Sequence, residues 1–140
     1  MNRNWKSEIE PDFNEALRLF HEEGRAKEAL EILSRIAELH PNFPAVFGVM
    51  GGIYKLTGDL RNAARYFRRV IELNPKSELA SRGLFMSLYR VGRKDEAWAE
   101  ARRFLSIAES KEYVRMIHEI NTAHASQSTG VKLGTMPNDN

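Results

Sequence analysis

Apolar side chains recur along this chain every three to four residues, in blocks broken by glycines, prolines and polar pairs. That period is the helical one, and no stretch sustains the alternation of a strand. The blocks predict helices at about 12–23, 26–39, 44–56, 60–73, 78–90 and 94–107. A seventh is predicted at 111–124, where Tyr113, Val114, Ile117 and Ile120 are placed on one face. The fold class is therefore all-α. The run from Gly51 to Phe67 stands out against the pattern, because it holds three glycines. Each glycine inside a helix costs about 1 kcal/mol relative to alanine.

The glycines fall into place once the chain is compared with itself. Gly24, Gly58 and Gly92 are 34 residues apart, as are Ala29, Ala63 and Ala97. Pro41 and Pro75, Phe13 and Phe47, Phe20 and Tyr54, and Leu33 and Phe67 share the same step. A fixed period of this length marks a repeat architecture. Each repeat reads as two helices joined at a glycine that tolerates positive φ. Asp59 follows its glycine and is placed to cap the next helix. Leu39-His40-Pro41 and Leu73-Asn74-Pro75 close their helices, since proline disfavours helix at the residue before it. Ala29, Ala63 and Ala97 mark the crossings of paired helices. Gly58 is then a turn, and Gly51 faces the second helix of its pair.

The step and the order of small, aromatic and proline positions resemble the tetratricopeptide repeat. The second repeat matches best, with Phe47, Gly51, Tyr54, Ala63, Phe67 and Pro75 at that family's positions. The first carries Phe13, Phe20, Ala29, Leu33 and Pro41, with Leu17 in place of the early glycine. The third carries Leu84, Leu88, Ala97 and Phe104, with Phe85 for the glycine and Glu109 for the proline, so its packing is expected to be less regular. The resemblance implies a right-handed superhelical solenoid of three helix pairs plus a C-terminal capping helix. The organisation expected is a loose arm at 1–9, repeats at about 10–43, 44–77 and 78–109, a cap at 111–124 and a flexible tail at 125–140. Ser, Thr, Gly and Asn dominate that tail.

The same resemblance implies a concave groove lined by the first helix of each pair. Its expected protein-binding residues are Asn14, Arg18 and His21, then Ala45, Gly48, Gly52 and Lys55, then Arg82, Met86 and Tyr89. Gly48 and Gly52 are four apart and give the groove a flat floor. A partner contacting backbone there is one reason for such a floor, and tight stacking of the repeats is the other. Some co-chaperones of the family clamp a C-terminal carboxylate with Lys, Asn, Asn, Lys and Arg. Here those positions hold Asn14, Arg18, Val49, Leu79 and Gly83, so a clamp of that kind is disfavoured.

The helix at 60–73 carries Arg61, Arg65, Arg68 and Arg69. Arg68 is spaced to pair with Glu72, and Arg102 and Arg103 extend the basic strip into the next repeat. A solvated face partly neutralised by Glu96 and Glu100 is the favoured reading. An acidic protein surface or a nucleic-acid backbone is the other.

The chain has 140 residues, which suits one domain, and no cysteine, which removes thiol chemistry and disulfides. The formal charge is only +2, so nucleic acid is disfavoured. Charge is uneven, however: residues 1–43 hold six basic and nine acidic side chains, and residues 44–77 hold six and two. An acidic partner would be drawn to the middle. The polar N-terminus does not read as a signal peptide and no run reads as a membrane span, so a cytoplasmic protein is expected. His21, His40, His118 and His124 form no metal motif, and no phosphate loop is present. No enzyme, metal or cofactor is expected. The expected function is non-catalytic binding of another protein or peptide through the groove. The alternatives are an immunity-type inhibitor of one toxin or effector, a secretion chaperone, and self-association through the end of the chain at Tyr113 and Ile117.

Overall fold

A computed structural model describes the backbone of residues 5–129 and the side chains of residues 7–123. The described residues form helices only: α1 (Trp5–Glu23), α2 (Ala26–Leu39), α3 (Pro44–Leu56), α4 (Leu60–Leu73), α5 (Glu78–Arg90), α6 (Lys94–Ile107) and α7 (Lys111–Thr129). They divide into two compact units, Met1–Ile107 and Ala108–Asn140. In the first unit each odd helix packs on the even one after it, α4 also packs on α5, and α3 touches α5 directly. This is an all-α helical repeat.

Glycine and proline set the limits of α2 to α5 and the start of α6 where the sequence places them. Gly24, Gly58 and Gly92 take φ of 66°, 90° and 94°. Across the second turn the N–H of Asp59 donates to the Tyr54 carbonyl at 2.9 Å, and across the third Arg93 N–H donates to Leu88 at 2.9 Å. Those bonds satisfy carbonyls that a helix end leaves open. Asp59 then accepts the Asn62 N–H at 3.2 Å and caps α4. Ser77 caps α5 in the same way, through the Ala80 N–H at 3.2 Å. Ala29, Ala63 and Ala97 are fully buried.

Two boundaries differ from the expectation. α1 starts at Trp5 rather than 12 and carries Pro11 in its interior. An interior proline costs about 3 kcal/mol. Ile9, only 4% exposed, offsets this by anchoring the added turns beside the α2–α3 connection, and Phe13 meets Phe43 with ring centroids 6.4 Å apart. The second difference is at the other end, where α7 runs to Thr129 rather than 124. Its start is capped by Ser110, which accepts the Tyr113 N–H at 3.0 Å. Tyr113 is buried, but Val114 is 53% exposed and so leaves the expected apolar face. A buried Tyr113 is also not available as a contact between copies. The remainder of the loose arm and of the tail, residues 1–4 and 130–140, lies outside the described residues.

The third repeat keeps its packing by exchanging sizes. Gly51 on α3 faces Phe67 on α4 in the second repeat, where a Cβ on the glycine would sit 3.0 Å from the ring. One repeat later the corresponding positions hold Phe85 and Ala101, both buried. The large side chain has moved from the second helix to the first, a swap that conserves volume.

Candidate functional site

The expected groove residues lie on α1, α3 and α5, and their surroundings differ. On α3, a Cβ added at Gly52 would meet nothing within 4 Å, and one at Gly48 would meet only Val70 Cγ2 at 3.9 Å, an ordinary contact. Packing within the chain therefore does not require glycine at either position. The next-door Gly51 is the opposite case, since Phe67 leaves it no room. Lys55 continues the Gly48–Gly52 face and is half-buried.

On α5, Leu79, Arg82, Met86 and Tyr89 follow one another at helical spacing. Arg82 Nη1 reaches Glu78 Oε2 at 3.4 Å, and its Nε is buried with no hydrogen-bond partner. Tyr89 stacks on Phe85 at 5.9 Å and meets the Trp98 ring edge-on at 6.2 Å. The ammonium of Lys94 lies 5.1 Å from the centre of the Tyr89 ring. Leu79, which the sequence places only at a failed clamp position, is an exposed apolar side chain, 78% accessible. Gly83 was the other such position. It is buried, with the Phe67 ring against it, and belongs to the core.

On α1 the charge is already spent. Arg18 donates to both carboxylate oxygens of Glu15, at 2.9 and 2.8 Å, and also pairs with Glu23. The Glu15 and Glu23 carboxyls are held below the usual carboxylate range by hydrogen bonds from Arg18, with Arg25 adding to the effect at Glu23. Asn14 and His21 are exposed, the latter with its ring 5.1 Å from Phe20. The α3 and α5 sets thus occupy helices that touch, whereas the main contact of α1 is with α2.

Residues 45–77, which span α3, α4 and the turn after them, match the tetratricopeptide repeat family model. Those residues are a helix pair similar to the tetratricopeptide repeat, set within an all-α helical-repeat chain. None of the curated proteins matches it. Tetratricopeptide repeats generally mediate contacts between proteins and generally act as non-catalytic scaffolds. No helix among the described residues is long and apolar enough to cross a membrane, and no group of His, Asp or Glu among them is arranged to hold a metal.

The tetratricopeptide frame also explains contacts that the sequence did not announce. Arg69 Nη2 donates to the Pro41 carbonyl at 3.0 Å, and Arg103 Nη1 donates to the Pro75 carbonyl at 3.0 Å. Donors and acceptors are each one repeat apart. Each arginine ties the late turns of a second helix to the connection that leads into its own first helix.

The basic strip is corrected accordingly. Glu72 pairs with Arg69 at 3.2 Å, not with Arg68, which instead points to Glu96 at 3.9 Å. Arg103 does not extend the strip, because it is bound to Glu100 at 2.8 Å. Glu100 is 9% exposed and accepts from Ser81 Oγ at 2.7 Å, so it does not neutralise the outer face.

Proposed function

We propose that this protein binds a partner protein along the first helices of its second and third repeats. The partner backbone or a side chain lies over Gly48 and Gly52, with Leu79, Met86 and Tyr89 as apolar contacts and Lys55 and Arg82 as cationic ones. The observation that carries this reading is the open space at Gly52. Two neighbouring glycines sit in one helix, and packing accounts for only one of them. The second costs about 1 kcal/mol of helix stability without any internal contact in return. Backbone exposed in this way admits close approach by another chain. Tyr89 is a rigid aromatic held by Phe85 and Trp98, the kind of residue that contributes strongly at interfaces.

The experiment is capture of partners by the tagged protein beside a Gly52→Trp variant whose helicity is checked. One dominant partner that is lost in the folded variant is the expected result. A partner kept by the folded variant at unchanged affinity would remove the groove from the account.

A further inference from the structure

The solvent-facing side of α4 carries positive charge that the rest of the described chain answers only in part, leaving Arg61 and Arg65 without an ion pair. Arg61, Arg65 and Arg68 recur there about one turn apart, and with Arg69 and Arg93 they line an open cleft of about 490 Å³. Two carboxylates answer part of the charge: Glu72, which also lines the cleft, is held by Arg69, and Glu96 is held by Arg93 at 2.6 Å with Arg68 at 3.9 Å, while Glu100 is turned inward to Ser81 and Arg103. Arg61 and Arg65 make no ion pair among the described residues, and the one ring contact of Arg65 is with its neighbour Tyr66, 5.9 Å from the guanidinium.

The arrangement costs stability. A cation in the first turn opposes the helix dipole, as Arg61 does in α4. Like charges at i,i+4, as with Arg61 and Arg65, mildly destabilise a helix. Both side chains are exposed, so packing does not explain them.

We propose that this face of α4 docks an acidic segment of a partner protein, with carboxylates received by Arg61 and Arg65. Guanidinium groups take carboxylates in bidentate fashion, and the half-buried Tyr66 ring lines the cleft beside an apolar neighbour of those carboxylates. The length of the strip favours a peptide over a nucleic acid. From Arg61 to Arg68 it covers only about 10 Å of helix, and Glu72 and Glu96 border it. A phosphate backbone continuing past it would meet those carboxylates. The surface lies on the second helix of its pair and does not depend on the groove.

The test uses the full chain and a fluorescein-labelled deca-glutamate peptide, followed by anisotropy at low and at physiological salt. The expected result is saturable binding that weakens with salt and is about tenfold or more weaker in Arg61→Glu/Arg65→Glu. Arg61→Gln/Arg65→Gln should show the same direction, Arg102→Glu should change binding little, and Gly52→Trp should retain it. Equal binding by the folded double variants would overturn the proposal, as would an equal loss in Arg102→Glu or a loss in Gly52→Trp. Tighter binding of a single-stranded oligonucleotide of the same length would overturn it in favour of nucleic acid. A doubling of solution mass at low salt that the double variant abolishes would overturn it in favour of a second copy.

Discussion

The ring of Phe67 lies so close to the backbone of Gly83 that a Cβ there would sit 2.7 Å from its Cζ. Phe67 thus occupies a slot between two glycines on different helices, Gly51 on α3 and Gly83 on α5. It joins the second repeat to the third. Gly83→Ala should therefore destabilise the fold by about 1–3 kcal/mol through overpacking, despite the better helix propensity of alanine. Gly51→Ala should cost less, because its Cβ would stand 3.0 Å from the ring. Urea unfolding of both variants checks the order. A Gly83→Ala protein as stable as the parent would show that the slot is looser than described.

Phe67→Ala should be the more severe change. It removes a side chain that is 4% exposed, and such truncations cost about 3–5 kcal/mol. Because the lost contacts lie on both α3 and α5, the loss should appear as a lower unfolding midpoint for the first unit as a whole rather than as fraying at one end. Hydrogen exchange resolved along the chain distinguishes the two.

Arg69 and Arg103 make the same bond one repeat apart, but their loss should not be equal. Arg69→Ala removes exposed hydrogen bonds to Pro41 and Glu72 and should cost about 1 kcal/mol. Arg103→Ala also strips the nearly buried Glu100 of its cation and should cost roughly 2–4 kcal/mol. Replacing Glu100 with Gln in the Arg103→Ala background should recover part of that loss. Thermal unfolding of the three variants measures the difference.

The Arg18 network gives a pH dependence with a definite sign. Glu15 and Glu23 have carboxyls lowered by Arg18. Their contribution is present above the ordinary glutamate value and is lost as pH falls through the lowered one. The pairing along α1 and into the turn after it should therefore hold at neutral and mildly acidic pH and loosen only in stronger acid. Carboxyl NMR titration should show the Glu23 midpoint moving upward in Arg18→Gln. An unchanged midpoint would mean that the pairing does not persist in solution.

The parts of the fold that local chemistry decides were legible in the sequence. Gly24, Gly58 and Gly92 with Pro41 and Pro75 punctuate the chain, and α2 to α5 and the start of α6 fall where those residues require. The start of α1 was not legible. It depends on the burial of Ile9, a tertiary contact that outweighs the local signal of Pro11. Gly83 was read as a failed clamp position because its role needs a ring from the preceding repeat. The hydrogen bond from Arg69 to Pro41 spans 28 residues and leaves no local trace. At the candidate site, the sequence suggested the glycine floor from resemblance. The difference between Gly51, which packing demands, and Gly52, which it does not, emerges only in three dimensions. Glu96 does reach Arg68 of α4, but Glu100 turns inward, and sequence spacing does not reveal which way a carboxylate turns.

The most direct measurement is the stability and the partner affinity of Gly52→Ala, determined on the same purified protein against the dominant captured partner. In open space the added methyl should raise stability by about 0.5–1 kcal/mol. At a floor pressed by another chain it should weaken binding by about tenfold, and Gly52→Trp should abolish it. Greater stability with weaker binding is the result predicted here. Affinity unchanged in both folded variants would contradict the account, because the partner would then lie elsewhere.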